Sequence, residues 1–176
     1  MPIKNPKVAL IGLMGSGKTT LAATCAKTLG WKHWDLDDYI QLKEKKTVTE
    51  IFTQKGEDYF RQCETSALSY LLQEPAPWII ATGGGTPCFS NNLMLLQRHT
   101  FLVYLQANSS LLYQRLINNR AARPLIATLS DQQLLARLDN LLACRLPYYQ
   151  KADLQLHADQ PLDQLVKQLI NYIIQI

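Results

Sequence analysis

The sequence predicts an α/β fold, a parallel sheet of about five strands with helices on both faces. Three observations carry this. Short apolar runs alternate with longer segments of helical spacing along the chain. The runs are apolar throughout rather than at every second position, as in strands covered on both sides. Glycines and prolines fall at the junctions, where such a chain must turn.

Each element follows in order. Val8–Ile11 is the first strand and ends at Gly12. Lys18–Leu29 has helical spacing, with Leu21, Ala22, Cys25, Ala26 and Leu29 on one side and Gly30 as the stop. Trp31–Leu36 is the second strand. Asp37–Leu72 is mostly helical, broken near Lys46-Thr47 and at Gly56. Trp78–Ala81 and His99–Leu105 are the third and fourth strands. Ser109–Asn119 and Ser130–Tyr149 are helices, and Leu154–His157 is the fifth strand. Pro161 opens a last helix with Leu162, Leu165, Val166, Leu169, Ile170 and Ile173 as its apolar positions. Ligands of such folds sit at the carboxyl ends of the strands, so chemistry is expected just after Ile11, Leu36 and Ala81. Residues 120–130, between two helices, are the candidate lid. The 176 residues suit one domain.

Composition narrows the function. A hydrophobic fraction of 47% permits a full core. The 18 basic and 14 acidic residues leave a formal +4 with no Lys/Arg block, which suits a small anionic ligand and argues against a nucleic-acid partner. Cys25, Cys63, Cys88 and Cys144 are widely spaced and form no C-x-x-C pair, as expected of reduced thiols in a cytosolic protein. The start of the chain is short and polar and reads neither as a signal peptide nor as a membrane span. A cytoplasmic monomer with no membrane partner is the expectation.

Gly12-Leu-Met-Gly15-Ser16-Gly17-Lys18-Thr19 matches G-x-x-x-x-G-K-[ST] between a predicted strand and a predicted helix, the context this motif needs. Its glycines let backbone N–H groups converge on phosphate oxygens, and the helix start adds donors and partial positive charge. Lys18 is expected at the β- and γ-phosphates and Thr19 at Mg²⁺. Gly15, Ser16, Gly17 and Thr20 complete the expected nucleotide contacts. Asp35 and Asp37, alternating on an extended chain, could hold a cation and accept a hydroxyl proton. The competing reading is a helix cap with first-turn acids. Arg61 and Glu64 can meet on one helix face, in a site or as a surface ion pair. Gly83, Gly84 and Gly85 suggest close backbone approach to a ligand, or a plain loop. Arg123 lies in the candidate lid, where it could close over phosphate, and Arg145 near a helix end; either could simply be solvated.

Taken together, GLMGSGKT, Asp35-Leu-Asp37, Ile51-Phe52 with Gly56-Glu57, Phe60-Arg61-x-x-Glu64, Ala81-Thr82-Gly83-Gly84-Gly85, Arg123-Pro124-Leu125 and Arg145-x-Pro147-x-Tyr149 resemble shikimate kinase. The resemblance spans Val8 to about Ala152. It implies the three-layer P-loop kinase fold with a mobile lid. It implies transfer of the γ-phosphate of ATP to the 3-hydroxyl of shikimate, with Mg²⁺ held by Thr19 and Asp35. Asp37 would bind the acceptor hydroxyls and act as base, with an acceptor-binding region of about residues 35–64. Arg61 and Arg145 would clamp the shikimate carboxylate, with Glu64 orienting Arg61. Gly83, Gly84 and Gly85 would present backbone to the hydroxyls, and Phe52 and Phe60 would wall the pocket. Arg123 would be the lid arginine, and Arg115, or else Arg120, would stack on adenine. Met14 stands where relatives often carry proline or alanine. No role is assigned within residues 157–161. The alternatives are another small-molecule P-loop kinase, such as gluconate kinase, and a non-catalytic nucleotide-binding regulator.

Overall fold

The computed structural model describes residues 6–117 and 126–175. Its centre is a five-stranded sheet, all parallel, with the order β2-β3-β1-β4-β5. The strands are β1 (Lys7–Ile11), β2 (Lys32–Asp35), β3 (Trp78–Ala81), β4 (Phe101–Gln106) and β5 (Leu154–His157). Helices α1 (Lys18–Leu29), α2 (Leu36–Glu44), α3 (Val48–Leu71), α4 (Asn92–His99), α5 (Ser109–Leu116), α6 (Asp131–Tyr149) and α7 (Leu162–Gln175) flank it, with a 3₁₀ turn at Thr86–Cys88. The predicted fold class holds. All of β3 and Val8 through Ile11 of β1 are buried, as expected of strands covered on both faces.

Local rules explain most boundaries. Gly30 ends α1 in the left-handed region at φ 68°. Thr47 and Glu50 form a reciprocal capping box that starts α3. Gly56, at φ 82° and ψ 173°, interrupts α3 where the sequence predicts a break.

Three readings need correction. The second strand stops at Asp35, one residue before the predicted Leu36, because Asp35 caps α2. Asp35 and Asp37 therefore do not alternate along one strand. The fourth strand runs from Phe101 to Gln106, and His99 belongs to α4. The sequence reading has no α4 at all. That helix is eight residues long, buries only Asn92 and Leu96, and lacks a side-chain cap, so its periodic signal is weak.

Register positions the site. Leu10 of β1 pairs with Ala81 of β3, and Ala81 pairs with Asp35 of β2. Three adjacent parallel strands thus end level, and the segments that follow them meet at one edge. Thr82 fastens the middle one, its N–H and Oγ1 both donating to the Leu10 carbonyl at 3.1 and 3.0 Å.

Candidate active site

The phosphate-type loop lies between β1 and α1, as its motif requires. Gly12 has φ 141°, and a Cβ there would lie 2.6 Å from the Leu105 carbonyl oxygen, so only glycine fits. Gly17 precedes the first residue of α1, whose N-terminal N–H groups face the loop. Lys18 is buried and folds back across the loop, its Nζ donating to the Gly12 and Leu13 carbonyls at 2.8 and 3.0 Å. Thr19 Oγ1 donates to Asp35 Oδ2 at 2.5 Å. Asp35 Oδ1 accepts from the N–H groups of Asp37 and Asp38 at 3.0 and 3.4 Å. The cap reading therefore holds for this carboxylate, which caps α2 with one oxygen and accepts from Thr19 with the other. Burial and the neighbouring Asp35 charge raise the pKa of Asp38.

Beside the loop is a cavity of about 270 Å³ lined by Gly15, Gly17, Thr20, Arg115, Ala158 and Gln160. Arg115 donates to the carbonyls of Ser16 at 2.9 Å, Gly15 at 3.3 Å and Ala158 at 2.7 Å. It ties the segment after β5, to which sequence reasoning gives no role, to the phosphate loop. Arg120 and Arg123 lie outside the described residues. Of the predicted lid, Ile126 is fully buried.

On the other side, the glycine loop after β3 receives side chains from α2, α3 and α6. A Cβ on Gly83 would lie 2.5 Å from Glu64 Oε1, 2.9 Å from Thr86 Oγ1 and 3.0 Å from Asp37 Oδ1. One on Gly84 would meet Met14 N at 3.2 Å and Arg145 Nη1 at 3.3 Å. One on Gly85 would lie 2.6 Å from Arg61 Nη1. The glycines make room for these side chains. The loop is packed rather than plain.

Arg61 and Glu64 are both buried, so theirs is no surface ion pair. Arg61 Nη1 donates to Glu64 Oε2 at 2.6 Å, while Nε and Nη2 reach Glu57 Oε1 at 3.1 and 2.6 Å. Burial works against the charge on this guanidinium, and Glu64 and Glu57 more than offset it, so its pKa is raised. Its Cζ also lies 4.1 Å from the centre of the Phe89 ring. Phe52 and Phe60 pack on each other with ring centres 4.8 Å apart. Arg145 is 6% exposed, and its Nη1 is buried with no hydrogen-bond partner. One turn on, the Tyr149 hydroxyl donates to the Gly84 carbonyl at 2.5 Å. Burial pushes the Tyr149 phenol well up, which keeps it a donor.

The structure thus gathers Lys18, Thr19, Asp35, Asp37, Arg61, Arg145 and the three glycines at one edge. Sequence reasoning missed Thr86, Asn92 and the Tyr149–Gly84 bond. Glu57, at i,i+4 from Arg61, carried a readable signal. The contact between Tyr149 and Gly84 spans 65 residues and has no local signature.

A sequence model of shikimate kinase matches residues 14–175. The chain belongs to the shikimate kinase family. Members of that family are kinases that phosphorylate shikimate, and this chain is a kinase of that class. A shikimate kinase of Flavobacterium johnsoniae is 37% identical over 169 residues, covering 95% of this chain and 98% of the relative. The shikimate kinase structure from Bacteroides thetaiotaomicron superposes with a TM-score of 0.91 at 32% identity, covering 97% of this chain and 99% of its own. That from Acinetobacter baumannii, a complex with shikimate, gives 0.91 at 31% identity, covering 98% and 94%. Among the described residues, no helix is long and apolar enough to cross a membrane.

Proposed function

We propose that this chain transfers the γ-phosphate of ATP to the 3-hydroxyl of shikimate, giving ADP and shikimate 3-phosphate, with donor and acceptor on either side of Gly84. The observation that carries the acceptor half is a pair of buried arginines with capacity for an anion. Arg145 has a buried Nη1 without a partner. Arg61 commits Nε–H, one Nη1–H and one Nη2–H to Glu57 and Glu64, and a guanidinium has two more N–H groups to give. A carboxylate between them would satisfy both by charge-assisted hydrogen bonds.

Each remaining role has a geometric support. Asp37, beside Gly83, takes the proton of the 3-hydroxyl as that oxygen bonds to the γ-phosphorus. The bond to the bridging oxygen breaks, and its electron pair leaves with ADP. Gly83, Gly84 and Gly85 offer backbone to the acceptor hydroxyls. Lys18 turns from the loop carbonyls to the β- and γ-phosphates, while Gly15, Ser16, Gly17 and Thr20 surround the phosphates. Arg115, beside the 270 Å³ cavity, serves the adenine side in preference to Arg120. Arg123 is the lid arginine that meets the phosphates on closure.

Thr19 and Asp35 fit Mg²⁺, because two oxygens that meet beside the loop suit a hard cation that keeps phosphate and water as its other ligands. When bound, the ion neutralises charge on the phosphates.

ADP release by the purified protein with ATP–Mg²⁺ and a panel of acceptors tests the reading. Turnover with shikimate and not with gluconate is expected. Turnover with gluconate and not with shikimate would reject it.

A further inference from the structure

Two carboxylates hold Arg61 at once, through different nitrogens. Glu57 has a side chain 43% exposed, where water and salt weaken its hold. Glu64 is fully buried, so its ion pair with Arg61 decides where the guanidinium lies. A buried carboxylate in turn needs donors on both oxygens. Arg61 serves Oε2, and the Thr86 hydroxyl serves Oε1 at 2.5 Å.

Thr86 is itself fully buried and fixed at both ends of its peptide. Its N–H donates to the Gly83 carbonyl at 3.1 Å, and its carbonyl accepts from Asn92 Nδ2 at 3.0 Å. Asn92 is fully buried on α4. A continuous set of hydrogen bonds therefore runs from α4 through the 3₁₀ turn to Glu64 and Arg61.

We infer that Thr86 is a positioning residue for acceptor binding, whose hydroxyl sets the Glu64 carboxylate so that it holds Arg61 at the acceptor pocket. This rests on the reading of Arg61 as a carboxylate clamp. Thr86 acts through Glu64 and Arg61. Without the hydroxyl, Glu64 Oε1 loses its donor, the carboxylate rotates to find another, and Arg61 follows Glu57 outward.

The test is steady-state kinetics on Thr86→Val, Thr86→Ser, Arg61→Ala and the double variant Thr86→Val/Arg61→Ala. Thr86→Val should raise the shikimate KM about tenfold, the cost of stranding a buried acceptor. The ATP KM and kcat should stay within about twofold, and Thr86→Ser should retain the parent KM. In the Arg61→Ala background, Thr86→Val should add nothing, because the two act in series. An unchanged KM in Thr86→Val, or the same increase with and without Arg61, overturns the inference. Arg61→Ala alone reports on the clamp: an unchanged shikimate KM there rejects that reading and this one with it. Should Thr86→Val not fold by circular dichroism, Thr86→Ala replaces it. Loss with Ala and retention with Ser supports the role, and equal behaviour of the two overturns it.

Discussion

Gly85→Ala probes the proposed acceptor site through a single added methyl group. Its Cβ would lie 2.6 Å from Arg61 Nη1 and 2.8 Å from Cζ and Nη2. Ordinary contact begins near 3.4 Å, so the guanidinium must retreat by about 0.8 Å. The backbone does not oppose alanine, since Gly85 has φ −92° and ψ −17°. The side chain does oppose the retreat, because Arg61 is buried, pinned to Glu64 at 2.6 Å and close to Phe89. Losing one hydrogen bond to a charged group costs about 1.5–3 kcal/mol. If that loss falls on acceptor binding, the shikimate KM rises about 10- to 150-fold. The three atoms nearest the new methyl all belong to Arg61, so the ATP KM should hold. ADP release at saturating ATP with varied shikimate measures the effect, and thermal melting checks the fold. A folded variant with the parent's shikimate KM would refute the placement of Arg61.

Three other outcomes follow. Asp37→Asn should lower kcat at least about 100-fold while ATP binding, read by nucleotide fluorescence, stays nearly intact; surviving turnover rejects the base assignment. Asp35→Asn keeps a capping oxygen for α2 but removes the charge proposed to hold Mg²⁺, so it should raise the Mg²⁺ concentration needed for half-maximal turnover with little change in melting temperature. Asp35→Ala should lose both, and equal melting of the two variants would show that the cap contributes nothing. Burial pushes the thiols of Cys25 and Cys88 up to about 12 and about 11, with Arg145 and Arg61 pulling Cys88 partly back. At pH 8 both are protonated, so iodoacetamide should label exposed Cys144 first, and Cys88 should react only as pH climbs toward 11. Equal labelling of Cys88 and Cys144 at pH 8, read by mass spectrometry, contradicts this.

Much of the site was legible because its signals are local. The phosphate loop is a contiguous motif, and Arg61 and Glu64 lie one helical turn apart. What the sequence hid is long-range. Tyr149 must cross 65 residues to reach Gly84, and Thr86 22 residues to reach Glu64. No periodicity encodes such pairings. The ambiguity at Asp35 had another cause. A carboxylate after a strand looks the same whether it caps a helix or serves a site, and here one oxygen caps α2 while the other accepts from Thr19.

That division ties the first turn of α2 to the phosphate loop. Asp35 Oδ1 fixes the first turn of α2, and Asp37 rides on that turn. Oδ2 fixes Thr19 at the start of α1. Asp37, the proposed base, and the phosphate loop are thus held by one side chain, itself set by the register of β2 on β3. Gly84 makes a second link, lying between Met14 of the loop and Arg145 of α6, with its carbonyl held by Tyr149. In-line transfer demands that the attacking oxygen and the γ-phosphorus be aligned closely, and misplacement by about 1 Å is costly. Two links, one through Asp35 and one through Gly84, tie α2 and α6 to the phosphate loop and favour such an alignment. A site whose halves hung on separate loops would have to recover it from substrate binding energy.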